Sequence, residues 1–171
     1  MTGGGGRKTL IVATLAGLLP TLGFLIFFHV HDRPLRPYTI IDFELAWTPE
    51  RAGPMLAAWG ESGRRTARES LWVDFAFMPA YALLFAGGTL LAARSAAGRG
   101  HALGFRLAAA PVVAALLDVV ENVSLLRVLG AAGNPPAAAL TIAGAAAAVK
   151  FALLGVCLLY ILCASAYHRL L

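Results

Sequence analysis

The stretch Leu103–Leu129 reads LGFRLAAAPVVAALLDVVENVSLLRVL, and its length and composition suit a helix that crosses a bilayer. A hydrocarbon core about 30 Å thick takes roughly 20 helical residues. Within this run Asp118, Glu121 and Asn122 stand at i, i+3 and i+4, positions that share one face of a helix. Facing acyl chains, a central aspartate costs about 2.5 to 3.5 kcal/mol on insertion scales. That face must therefore meet other helices or water, and the sequence predicts that this span is the most enclosed of the bundle.

Three further apolar runs flank it, at about 9–30, 71–93 and 137–166. The chain has 171 residues, 59% hydrophobic and 13% charged, with a mean hydropathy of +0.75, too apolar for a soluble domain of this length. The basic start before the first run also describes a signal peptide, but the run is too long and no small-x-small site follows it, so it reads as an uncleaved first span. Asn134-Pro135-Pro136 is a tight break that makes spans three and four antiparallel neighbours. Small residues at four-residue spacing, Ala110 with Ala114 and Gly144 with Ala148, would let backbones approach closely. The expected architecture is all-α: a flexible tail over residues 1–8, then one four-transmembrane-helix bundle over 9–171, with short amphipathic helices in the first extracytoplasmic loop.

That loop, residues 31–70, balances six arginines against Asp32, Asp42, Glu44, Glu50, Glu61 and Glu69. Thr39 opens a Thr-x-x-Asp capping pattern, and Thr48-Pro49-Glu50 is a second helix start with Gly60 suited to ending it. Helices carrying Phe43, Leu45, Trp47, Met55, Leu56 and Trp59 would lie on the membrane surface or cover the bundle. Trp47, Trp59 and Trp72 mark the outer interface in this reading. Arg7, Lys8, Arg94, Arg99, Arg106 and Arg169 fall in short acid-free segments on the other side, which predicts that both termini are cytoplasmic.

Composition also removes alternatives. The formal charge of +5 is scattered between apolar blocks, without the basic helix or aromatic platform that nucleic acid requires. Cys157 and Cys163 lie six apart on one helix and cannot bridge; they read as packing residues. His29-Val30-His31, taken as extended, puts two imidazoles on one side without a third ligand, too few for a metal site. No serine-nucleophile, phosphate-loop or haem-attachment motif is present, and no cofactor is expected. Twelve arginines against two lysines, with abundant alanine and glycine, suggest a GC-rich bacterial genome.

One of those lysines, Lys150, stands about thirteen residues, or roughly 20 Å, into span four. Side chains lean toward a helix's N-terminus, so on antiparallel spans Lys150 and Asp118 converge in depth, and a pair between Lys150 and Asp118 or Glu121 is expected. Asp74, one turn into span two, shares a face with Tyr81 at i+7, and Glu44 could close over the same mouth, making a polar funnel. One charged pair that fixes helix register would be the bland explanation. Three carboxylates, an amide and an amine exceed that requirement, and excess carboxylate in a low-dielectric site is how proton chemistry is tuned.

At IDFELAWTPERAGPMLAAWG (41–60), WVDFAFMPAYALLF (72–85), DVVENVSLLRVL (118–129) and Lys150, the chain resembles a family of small bacterial four-helix membrane proteins. The likeness covers most of residues 38–155 and implies the same fold without an activity. A looser similarity, of architecture alone, is to the sterol-isomerase and sigma-2-receptor group, four helices around buried carboxylates. Three functions fit the residues. The first is a site for a lipid or other apolar small molecule, with Asp118 and Glu121 as acid, base or cation stabiliser tuned by Lys150, and Glu44, Asp74, Tyr81 and Asn122 lining it. The second is a proton- or cation-coupled transporter, acting as a homodimer because four helices rarely enclose an alternating-access path. The third is a noncatalytic membrane subunit. The expected partners are membrane lipids.

A Lys150→Met change should leave a carboxylate uncompensated at a cost of about 3 to 5 kcal/mol, and adding Asp118→Asn or Glu121→Gln should recover much of the loss. Thermal unfolding in detergent of each single and double variant reads this directly. Additive losses in both cycles would reject the pairing.

Overall fold

The computed structural model describes residues 3–96, 98–131 and 134–170. It is all-α: among the described residues there is no strand. Helix α1 covers Gly3–His31, α2 Ile40–Glu44, α3 Pro49–Ser95, α4 Gly98–Leu107, α5 Ala110–Gly130 and α6 Ala137–Leu170. Four helical stretches, Gly5–His31, Pro49–Ser95, Gly98–Gly130 and Ala137–Ala166, are long and apolar enough to cross a membrane. The expected tail is helical from Gly3, while Met1, Thr2 and the side chain of Arg169 lie outside the described residues.

The solvent of these helices is legible in what each one hides. On α5 the valines and leucine at 112, 113, 116, 119, 120 and 123 face outward, while Pro111, Ala114, Asp118, Glu121, Asn122 and Leu125 are buried. On α6, Ala139, Ala143, Ala146 and Ala147 are buried and Ile142, Val149, Phe151 and Leu159 are exposed. Large apolar groups outside and small or polar groups inside invert the soluble pattern, as expected where lipid replaces water. Because Ala148 itself is exposed, the inward partner of Gly144 is Ala147 at i+3 rather than the Ala148 expected from four-residue spacing.

Two compact units share the four long helices: Met1–Leu22, Met78–Ala115 and Lys150–Leu171 form one, and Gly23–Phe77 with Leu116–Val149 the other. In the first, α1 lies against α3 at Gly17, where an added Cβ would stand 2.5 Å from the Leu84 backbone nitrogen and 2.8 Å from the Ala80 carbonyl oxygen; only glycine permits this approach. The expected third span is broken by a turn at Ala108-Ala109. Pro111 explains the break, since it has no N–H for the carbonyl four residues earlier. That carbonyl, on Leu107, instead accepts the Cys157 thiol at 3.7 Å. Cys157 is buried as expected of a packing residue, whereas Cys163 is exposed.

The second unit holds an apolar core built largely from the segment that links the first two spans. Thr39 caps α2 through a capping box with Asp42, and α3 bends at Gly60, whose φ of +56° and ψ of −157° leave helical geometry. Helix resumes immediately, so residues 61–70, expected to belong to the loop, form the first turns of the second long helix. Phe43, Met55, Leu56 and Trp59 pack with Leu125, Val128 and Leu140 from α5 and α6. The short helices therefore cover those helix ends instead of lying flat on a surface. Trp59 is part of this core and donates its indole N–H to the Leu35 carbonyl at 2.7 Å. Of the three tryptophans expected at an interface, Trp72 alone is exposed, while Trp47 is half-buried and Trp59 buried. Enclosure also differs from expectation, since the apolar window of α3 is 28% buried and that of Gly98–Gly130 22%. The outward valine face of α5 accounts for the lower figure.

Trp47 closes the core edge by lying on Gly144, where an added Cβ would stand 2.7 Å from the indole Cδ2 and 2.9 Å from Cε2. Gly144→Ala should push the indole away and destabilise the protein by about 1 to 3 kcal/mol, the usual cost of overpacking. Gly155→Ala, on the same helix with open space around it, should not destabilise, because alanine is the better helix former. Melting temperature with Trp emission checks both; equal effects would contradict the Trp47 contact.

Candidate functional site

In the unit formed by Gly23–Phe77 and Leu116–Val149, α3 and α5 are tied by one amide. Asn122 is 1% exposed, and its Nδ2 donates to the Leu71 carbonyl at 3.1 Å and to the Asp74 carboxylate at 2.8 Å. Leu71 and Asp74 are one helical turn apart, so the two hydrogens of one NH2 group reach two acceptors on a single face. A charge-assisted bond of this kind is among the stronger ones available to a buried amide. Seven residues further along α5, Arg68 of α3 donates to the Leu129 carbonyl at 3.1 Å, satisfying an oxygen that the helix end leaves unbonded.

Asp118 at 2% exposed and Glu121 at 0% lie on the same inward face of α5 as Asn122. The sequence expectation of one shared polar face is met, and Ser124, which sequence reading passed over, is buried nearby and donates to the Val120 carbonyl at 2.7 Å. Its hydroxyl is satisfied within its own helix, so it adds no group to the site. Glu44, the last residue of α2, is buried in this unit, and Asp74 is half-buried. Asp74, Asp118, Glu121 and Glu44 all engage in further interactions.

Lys150 and Tyr81 belong to the other unit. Both are buried, Lys150 at 5% and Tyr81 at 3%, and both have interaction partners. The ammonium of Lys150 also stands 4.8 Å from the centre of the Phe151 ring, within the range of a cation–π contact.

No family model, curated protein or solved structure matches the chain. The geometry of its own residues must carry the functional reading.

The histidine pair is arranged differently from the extended reading. Helix α1 runs through His31, so His29 and His31 are i and i+2 on a helix and diverge. His31 stacks on Phe27 at 4.8 Å and stands 3.7 Å from Glu69. Beside it Asp32 accepts the Ser70 hydroxyl at 3.2 Å; burial lifts the Asp32 carboxyl above its ordinary range, opposed by that hydroxyl and by His31. Among the described residues no group of three or more His, Cys, Asp or Glu side chains is placed to hold a metal ion.

A basic groove was not foreseen from the sequence. It opens where α3 bends at Gly60, encloses about 490 Å³, and is lined by Arg64, Arg65 and Arg68 together with Glu61, Leu56 and Leu129. The available signal was arginine at i, i+1 and i+4 just ahead of an apolar span; the near-neutral charge of the whole 31–70 segment concealed it.

Proposed function

We propose that this multi-pass membrane protein uses the polar face of α5 as a binding site for a lipid or other apolar small molecule, with Asp118 and Glu121 as candidate acid, base or cation-stabilising groups. The observation that carries the reading is the near-complete burial of Asp118, Glu121 and Asn122 together on a helix whose opposite face is valine and leucine. One hydrogen-bonded amide suffices to set the register of α3 against α5, and Asn122 does so through Leu71 and Asp74. Two further carboxylates on that face are costly to insert into a membrane and exceed what register requires, so we assign them to chemistry or recognition. Such groups need no cofactor to exchange a proton with a bound molecule. We also place the segment between α1 and α3 outside the cell and both termini in the cytoplasm, a reading supported by the acid-free basic residues Arg94, Arg99 and Arg106.

The full chain extracted in mild detergent should retain a specific isoprenoid or sterol-like molecule detectable by mass spectrometry. Glu121→Gln and Asp118→Asn keep side-chain volume and should lower that retention about tenfold, the scale of one lost charge-assisted hydrogen bond, while the variants still fold. Retention of bulk membrane lipids only, in the same proportions for wild type and both variants, would overturn the binding reading. Proton uptake coupled to cargo movement in proteoliposomes, without a retained apolar molecule, would replace it with transport.

A further inference from the structure

The arginine groove lies apart from the carboxylates of α5 and has a chemistry of its own. Gly60 breaks α3 at a positive φ, so the chain turns and the two arms diverge around a cleft. Arg64 and Arg68 are held at its wall. The Nε–H of Arg64 donates to the Leu56 carbonyl at 3.1 Å and Arg68 Nη2 to the Leu129 carbonyl at 3.1 Å. Each guanidinium has five N–H donors, so each keeps a donor edge beyond the one bond that anchors it. Arg65 makes no hydrogen bond or ion pair among the described residues. Glu61 is the one acid in the lining, and no ion pair ties it to these arginines among the described residues. The cleft therefore carries a formal excess of two positive charges, three arginines against one glutamate.

Its position along α3 selects the anion. Arg65 and Trp72 are seven residues apart and share a helix face, and Trp72 is 62% exposed, as suits an aromatic ring at the level of lipid headgroups. Arg65 stands about 9 Å outward of Leu71, where the apolar run begins, at 1.5 Å per residue. Headgroup layers occupy roughly 5 to 8 Å on each side of the hydrocarbon core, and the flexible arginine stem spans the difference. Leu56 and Leu129 add an apolar wall to the same cleft.

We propose that the Arg64, Arg65 and Arg68 groove seats the phosphate of an anionic phospholipid, whose acyl chains run along the Trp72 face of α3. Planar guanidinium forks match phosphate oxygens in pairs, and two of the three are already fixed in place by helix-end carbonyls. The site is independent of Asp118 and Glu121.

Native mass spectrometry of the full-length, delipidated protein, titrated with phosphatidylglycerol, tests it. Wild type should bind one molecule preferentially over phosphatidylcholine. Arg65→Gln should weaken that binding about five- to tenfold with an unchanged melting temperature, since Arg65 anchors nothing in the fold. Arg65→Lys should fall between, keeping the charge but losing the fork. Arg51→Gln, which removes an exposed arginine outside the groove, should bind as wild type. Equal loss in Arg51→Gln and Arg65→Gln, or no loss in Arg65→Gln, would overturn the site. Displacement of the lipid by equimolar inorganic phosphate would show a free-phosphate site in its place, also against the proposal. Retention of the apolar molecule assigned to α5 should be unaffected by Arg65→Gln.

Discussion

An amide buried between helices has no water to bond to, and the packing of α3 against α5 follows from how Asn122, 1% exposed, meets that constraint. Both hydrogens of its side chain reach α3, one to the Leu71 carbonyl and one to the Asp74 carboxylate. The two acceptors lie a turn apart, so a slip of one residue in either helix would lose at least one bond. Hydrophobic burial cannot supply this specificity where the surroundings are themselves apolar. With Asn122 fixed, Asp118 and Glu121 are brought to the same buried face, and Arg68 reaches the Leu129 carbonyl further along.

The remaining contacts depend on small residues and on carbonyls left open by helix breaks. Gly17 admits the Leu84 backbone and Gly144 admits the Trp47 ring. Pro111 frees the Leu107 carbonyl, which Cys157 occupies; past the bend at Gly60, Arg64 reaches back to the Leu56 carbonyl. At both irregular points of the helices a side chain donates to a backbone carbonyl. The apolar core around Phe43, Trp59 and Leu125 is conventional by contrast, and it belongs to the segment with the most polar sequence.

Much of this was legible in the residues. Four apolar runs of bilayer length, the shared face of Asp118, Glu121 and Asn122, the Thr39 capping box and the stop at Gly60 all rest on local geometry that sequence spacing determines. The misread elements depend on contacts that spacing does not encode. Residues 61–70 look like a loop because they are charged, yet they are helical, with Arg64 and Arg68 donating to the Leu56 and Leu129 carbonyls. Trp59 and Trp72 are equally aromatic, and only the bend at Gly60 sends one into the core and leaves the other outside. Ala148 and Ala147 are chemically identical, so the inward one is decided by the rotation of α6 against Trp47. The Pro111 break was available in the sequence and is a rule of helix chemistry, but a continuous apolar run masked it.

Asn122 couples α5 to Asp74 of α3 through a buried hydrogen bond. A double-mutant cycle with Asn122→Leu and Asp74→Leu, read by unfolding in detergent or bicelles, measures that coupling directly. The interaction energy is expected above the average of about 0.6 kcal/mol, toward the maximum of about 1.7 kcal/mol, found for interhelical hydrogen bonds in membranes, because the acceptor is a carboxylate. A coupling indistinguishable from zero, with the two losses simply adding, would contradict it.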